Sequence, residues 1–292
     1  MNRVLQYIPL IGFVVPTVVV GYGVVIPRSC IAGVNELTIG FGTTIFGAVL
    51  TYVAGQRAIM RKGVCTKPPL RVRIARAINR QAAAPSGWFG RLLGFIWPRE
   101  HGRLNAEVLD ALDLGAGHRV LEIGSGTGHA LREAARRATP GHVMGVDISE
   151  LMADLARRLN HAAVARGEVE VQAGDIETLD LDATFDRIFS VNCIYFWRDA
   201  EAVLAKLVSA LSPGGKLVLA FRPDGDSIPA RFRDPTYRFP RLEGIRATLE
   251  RLGLTIDGPA PTSTPGIVLL SASKPGLEDE VEGRGHGATE SG

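Results

Sequence analysis

The stretch VLEIGSGTGHA, Val120 to Ala130, decides how the rest of the chain is read. Arg119 to Ile123 is a compact apolar run of strand length, and His129 to Ala138 has a helical pattern. Between them, glycines recur as Gly-x-Gly-x-Gly at Gly124, Gly126 and Gly128. Glycine lets a backbone turn sharply and approach a ligand, because no Cβ intervenes. The dinucleotide fingerprint places its third glycine three positions after the second. Here Gly128 follows Gly126 by two, and an acid, Glu122, stands just before the loop. That spacing disfavours a nicotinamide oxidoreductase.

Outward from the loop, strand-like runs alternate with helical ones. His142 to Val146 reads as a strand and Glu150 to Arg166 as a helix. Val169 to Ala173, Arg187 to Val191 and Lys216 to Phe221 read as further strands, with Glu201 to Leu211 helical between the last two. Arg241 to Leu252 then reads as a helix, and Leu254 to Ile256 and Ile267 to Ser273 as closing strands. The alternation predicts an α/β fold, a doubly wound, mostly parallel sheet of seven strands with helices on both faces. Ligands in such sheets bind beyond the carboxyl ends of the strands. Asp147 stands at one of those ends, where a carboxylate can accept both hydroxyls of a ribose. The competing role, a helix N-cap, suits Ser149 better.

Four elements together carry a resemblance: Gly124 to Gly128, Asp147, Gly174-Asp175-Ile176, and the turn Leu211-Ser212-Pro213-Gly214-Gly215. From Ser86 to Pro275 the chain resembles the Rossmann-like class I methyltransferases, and most closely the small-molecule branch that includes quinone C-methyltransferases. The resemblance implies S-adenosylmethionine as cofactor. It implies that Glu122 and the loop Gly124, Ser125, Gly126, Thr127 and Gly128 hold the methionine moiety. Asp147, with Ile148 beside it, would take the ribose. Asp175 would meet the adenine amino group, and Ile176 would line the adenine slot. Asn192, in the string VNCIYFW after the fourth strand, would reach the cofactor, and Asn192 and Tyr195 would face the methyl group. Trp88, Phe89 and the segment to Trp97 suit either a lid over the cofactor or an interfacial membrane contact.

Cys193 and Ile194 stand where enzymes that methylate amino groups of DNA bases or glutamine carry two prolines, which argues against those substrates. His101, His129 and His161 are base candidates by residue type alone, and no catalytic base is assigned. Cys193 suits a small buried strand-end residue better than a nucleophile. Cys30, Cys65 and Cys193 are too scattered for a metal site or a disulfide framework, so no metal is expected.

The N-terminal part differs in kind. Of 292 residues, 46% are apolar and the net charge is only +3, but both properties are unevenly placed. Val4 to Ile26 carries no charge and is long enough to cross a bilayer core of roughly 30 Å. A second apolar run spans Leu37 to Ala54, where Thr43, Gly47, Thr51 and Gly55 recur every four residues and permit close helix pairing. A cleaved signal peptide or buried soluble elements compete with this reading, and a transmembrane hairpin over residues 1–56 is preferred. Arg57, Arg61, Lys62, Lys67, Arg71, Arg73, Arg76 and Arg80 follow, with no acid until Glu100. Such a segment, 57–85, is expected as a basic juxtamembrane linker on the cytoplasmic side. It also suits an anionic leaflet better than nucleic acid, since no aromatic-laced pattern accompanies it. Residues 86–275 form the expected methyltransferase domain, and 276–292, rich in Gly, Glu and Ser, a disordered tail.

These readings predict a plasma-membrane protein with its globular domain in the cytoplasm. Its partner would be a small-molecule or lipid acceptor such as a quinone, isoprenoid, fatty acyl compound or phospholipid head group. The alternative is a non-catalytic, cofactor-binding regulatory membrane module.

Overall fold

A computed structural model describes residues 70–225, 228–229 and 232–276. The expected hairpin over residues 1–56, most of the basic segment after it and the expected disordered tail beyond Gly276 lie outside them. Among the described residues no helix is long and apolar enough to cross a membrane.

The strands are β1 (Arg119–Ile123), β2 (His142–Asp147), β3 (Val169–Ala173), β4 (Phe185–Val191), β5 (Leu211–Phe221), β6 (Thr255–Pro261) and β7 (Val268–Ser273). They form one sheet in the order β3-β2-β1-β4-β5-β7-β6. The first five run parallel, whereas β7 is antiparallel to both β5 and β6. The chain winds outward from β1 to β3, then crosses back to β4 on the other side. The carboxyl ends of β1 and β4 therefore flank the topological switch point, where open α/β sheets hold their ligands.

Both faces of the central strands are covered, so they read as nearly continuous apolar runs. Successive residues feed opposite layers. Leu121, Ile188, Leu217 and Leu219 pack with α6 (Ala200–Ala210) and α7 (Leu242–Arg251). Val120, Phe189, Val218 and Ala220 pack with α2 (Gly87–Ala111), α3 (His129–Ala138) and α4 (Glu150–Leu159). Leu104, Val108 and Leu109, at helical spacing, are the buried stripe of α2, and Leu112 just past its end continues it.

Three elements depart from the sequence reading. The helix expected from Glu150 to Arg166 ends at Leu159, and a short α5 (His161–Ala165) follows. Buried Asn160 breaks it, because its amide donates to the carbonyls of Ala156 (2.9 Å) and Gly128 (3.0 Å). The expected turn Leu211 to Gly215 is built into β5: pairing jumps from Phe185 with Leu211 to Arg187 with Lys216. Within the expected linker, α1 (Leu70–Ala83) is helical, and the compact unit holding the sheet begins at Ile74. Gln81 and Ser86 bond reciprocally at the turn into α2, with Ser86 N–H donating to Gln81 Oε1 at 2.8 Å.

Candidate active site

The glycine loop is laid across the end of β2. The N–H groups of Gly124 and Ser125 both donate to the Val146 carbonyl, at 2.8 and 3.1 Å. Gly124 has φ +79°, and a Cβ there would stand 2.8 Å from Cys193 Sγ. Gly126 has φ +52° and open space where a side chain would be, so its backbone alone faces the crevice. Ser125 turns the other way: it is buried, and a Cβ on Gly145 would lie 3.0 Å from its own Cβ. Gly145 of β2 is thus the gap that lets the loop and Leu131 of α3 settle on the sheet, a role the sequence reading did not find. Thr127 Oγ1 shares a hydrogen bond with His129 Nδ1 at 3.0 Å on the exposed side.

Two carboxylates lie beneath this loop. Glu122 is only 4% exposed, and its Oε2 has no hydrogen-bond partner among the described residues. Burial first, and the neighbouring charge of Asp147 second, push its pKa well above the usual carboxylate range. Asp147, 7% exposed, accepts the Gly126 N–H at 2.8 Å and the Ser149 N–H at 2.9 Å. Burial raises its pKa, and those two bonds oppose the rise. Ile148, next along, is 53% exposed and presents an apolar surface beside the acid. Ser149 takes the cap role: its Oγ accepts the Met152 N–H at 3.2 Å and donates to the Pro85 carbonyl.

At the end of β3, the Gly174 N–H donates to the Asp147 carbonyl at 2.9 Å, so the second and third strand ends lie side by side. Asp175 Oδ1 accepts the Glu177 N–H at 3.0 Å, and Arg198 Nη2 donates to Asp175 Oδ2 at 3.0 Å. Ile176 lies deeper than expected. It is buried in the core cluster with Ile123 and Val146.

Asn192, the residue just after β4, adopts φ +54°, uncommon outside glycine. Its N–H donates to the Ala220 carbonyl at 2.8 Å, and its Oδ1 accepts the Tyr195 hydroxyl at 3.0 Å. Tyr195 Oη in turn accepts the Arg222 N–H at 2.5 Å. Burial drives the pKa of both Cys193 and Tyr195 up to about 12. Beyond them Phe196, Tyr237 and Phe239 form a half-buried aromatic wall, with Tyr237 stacked on Phe239 at 5.8 Å between centroids. Tyr237 and Phe239 escaped the sequence reading because they stand singly among arginines and prolines. Among the base candidates, His129 and His161 are exposed, and the side chain of His101 lies outside the described set. Trp88, 78% exposed, is in the first turn of α2. No cluster of metal ligands occurs among the described residues.

Glu122, the loop, Asp147, Asp175 and Asn192 thus converge on the carboxyl ends of β1 to β4. The residues fit S-adenosylmethionine: a buried carboxylate oxygen with no partner among the described residues suits an ammonium, and the open space beside the Gly126 Cα allows close approach. Strand order, the reversed β7 and this loop define the class I S-adenosylmethionine-dependent methyltransferase fold.

Comparison with known proteins agrees. Residues 120–215 match the sequence profile of the methyltransferase domain. An uncharacterized methyltransferase, YdaC of Bacillus subtilis, is 32% identical over 142 residues, covering 48% of this chain and 76% of its own. An O-methyltransferase of Pyrenophora dematioidea is 32% identical over 121 residues, 40% of this chain and 44% of its own length. Among solved structures, Haemonchus contortus phosphoethanolamine N-methyltransferase 2, bound to phosphomonomethylethanolamine and S-adenosylhomocysteine, superposes with a TM-score of 0.51 at 21% identity. That match covers 59% of this chain and 52% of the other, and its likeness is one of fold. The chain belongs to the S-adenosylmethionine-dependent methyltransferase family.

Proposed function

We propose that the protein methylates a small, lipophilic acceptor at a membrane surface. The observation that carries the cofactor half is Glu122, buried beneath the glycine loop with Oε2 unpartnered among the described residues. A buried anion without a partner is costly, and a cationic amino-acid end offsets that cost. S-adenosylmethionine, when bound, supplies a sulfonium-activated methyl group. The chain's own part is to bind, orient and exclude water. Glu122 pairs with the ammonium, the glycine loop approaches the methionine backbone, and Asp147 accepts the ribose hydroxyls. Asn192 and Tyr195, tied to each other and to β5, form a fixed rim towards the acceptor.

The acceptor half rests on the wall of Phe196, Tyr237 and Phe239, which offers flat apolar surface beyond that rim. Cys193 and Tyr195 both stay protonated at neutral pH, so neither serves as a general base. An acceptor already unprotonated, such as an amine, a phenolate or a carboxylate, suits that environment. The uncharged run Val4 to Ile26 and the basic segment after Ala54 support an anchored protein with its catalytic domain on the cytoplasmic face. Quinones, isoprenoids, fatty acyl compounds and phospholipid head groups all fit such a location.

The test is incubation of the full chain in its native membranes with methyl-labelled cofactor, followed by separation of the lipid and aqueous extracts. Label in a lipid-extractable product supports the proposal, and label confined to a water-soluble product overturns its lipophilic part. Intact cofactor binding with no labelled product in either extract favours a regulatory module instead.

A further inference from the structure

Arg198 stands just past the single turn Ile194–Phe196 that follows β4, yet its bonds reach the loop after β3. Its Nε donates to Glu177 Oε2 at 2.5 Å and its Nη2 to Asp175 Oδ2 at 3.0 Å. Its backbone N–H donates to Glu177 Oε1, as does that of Asp199 at 2.9 Å. Glu177 closes the circuit by donating its own N–H to Asp175 Oδ1 at 3.0 Å. Lys206 of α6 grips the same loop from below, donating to the carbonyls of Ile176, Glu177 and Leu179 at 2.9, 3.1 and 2.7 Å. A lone surface ion pair is worth little. This arrangement differs, because one guanidinium joins two carboxylates and backbone N–H groups complete the set. Burial works against the charge on Glu177, but its bonds to Asp199 and Arg198 hold its pKa below the usual range.

We propose that Arg198 and Glu177 act as a clasp that positions the Asp175 carboxylate to recognise the adenine amino group. The proposal rests on the assignment of Asp175 to adenine. A partly exposed aspartate otherwise turns freely in water, and ordering it on binding has a cost. With each oxygen already holding one donor, the carboxylate plane is fixed, and about two of its four acceptor positions remain for a ligand. Arg198 suits this task better than lysine, since only its planar fork reaches both carboxylates at once.

Calorimetric titration of the full chain with S-adenosylhomocysteine and with S-inosylhomocysteine, whose base carries an oxo group in place of the amino group, tests the clasp. Arg198→Ala is expected to weaken S-adenosylhomocysteine roughly tenfold and to leave S-inosylhomocysteine unchanged. Arg198→Lys is expected to stay close to the alanine variant, and Glu177→Gln to fall between it and the wild type. Equal weakening of both ligands by Arg198→Ala, or of neither, overturns the clasp. An unchanged preference for adenine in Asp175→Ala, which leaves no side-chain acceptor, instead overturns the assignment beneath it, and the proposal with it.

Discussion

Asp147 serves the fold with the same two oxygens that the proposed function assigns to the ribose. Its two oxygens hold the Gly126 and Ser149 N–H groups, one on the glycine loop and one at the start of α4. Those bonds bring the loop to the second strand end, where a ribose would lie across both. Asp147→Ala removes the proposed ribose acceptor and also releases Gly126. Losing hydrogen bonds to a charged group costs about 1.5–3 kcal/mol each, so S-adenosylhomocysteine affinity is expected to fall at least roughly tenfold. The fall is read by calorimetric titration, with circular dichroism confirming that the variant is folded. An unchanged affinity places the ribose elsewhere. The sequence made Asp147 legible because strand, acid and helix follow one another within a few residues. Tyr237 and Phe239 were not legible: they stand between β5 and α7 in a stretch where no local period marks them.

Elements were legible where their pattern is local and lost where a distant partner decides them. Strands β1 to β4 lie where their apolar runs put them, because burial on both faces leaves a continuous signal. The break at Asn160 depends on the Gly128 carbonyl, far away in sequence, so periodicity ran straight through it. Helix α1 was read as linker because its basic residues dominate its composition. The turn after α1 is held by Ser149, whose hydroxyl caps α4 and also donates to the Pro85 carbonyl. Ser149→Ala is expected to cost about 1 kcal/mol through the lost cap alone. It should also speed amide hydrogen exchange in the turn at residues 84–90, and Ser149→Gly, which removes the same donor but costs the cap only a few tenths of a kcal/mol, should speed exchange there with less loss of stability. If exchange in that turn is unmoved in both variants, the hydroxyl does not hold it.

At the scale of the whole molecule, a site built from buried acids opposes stability when empty, and binding relieves that opposition. Glu122 and Asp147 both have native pKa values raised from their ordinary 4.5 and 3.8. Between the unfolded and native values the folded chain binds more protons than the unfolded one, so stability falls as pH rises through that window. Their favourable contribution is complete below the unfolded values and gone above the native ones. Glu133 works in the opposite sense: Arg136 and Arg137 hold it down to about 2, so its contribution is lost only as pH falls towards that value. Relative to Glu122→Gln, the thermal midpoint of the empty protein should therefore decline as pH rises above about 4.5, while burial of His118, which lowers its pKa, acts in the opposite sense in both proteins. Pairing with an ammonium requires ionised Glu122, so binding expels a proton wherever the empty site still holds one. The stabilisation given by S-adenosylhomocysteine should accordingly grow as pH rises through the same window, and Glu122→Gln should flatten that growth. If the variant keeps the wild-type pH dependence in both measurements, the methionine end is bound by some other group than Glu122.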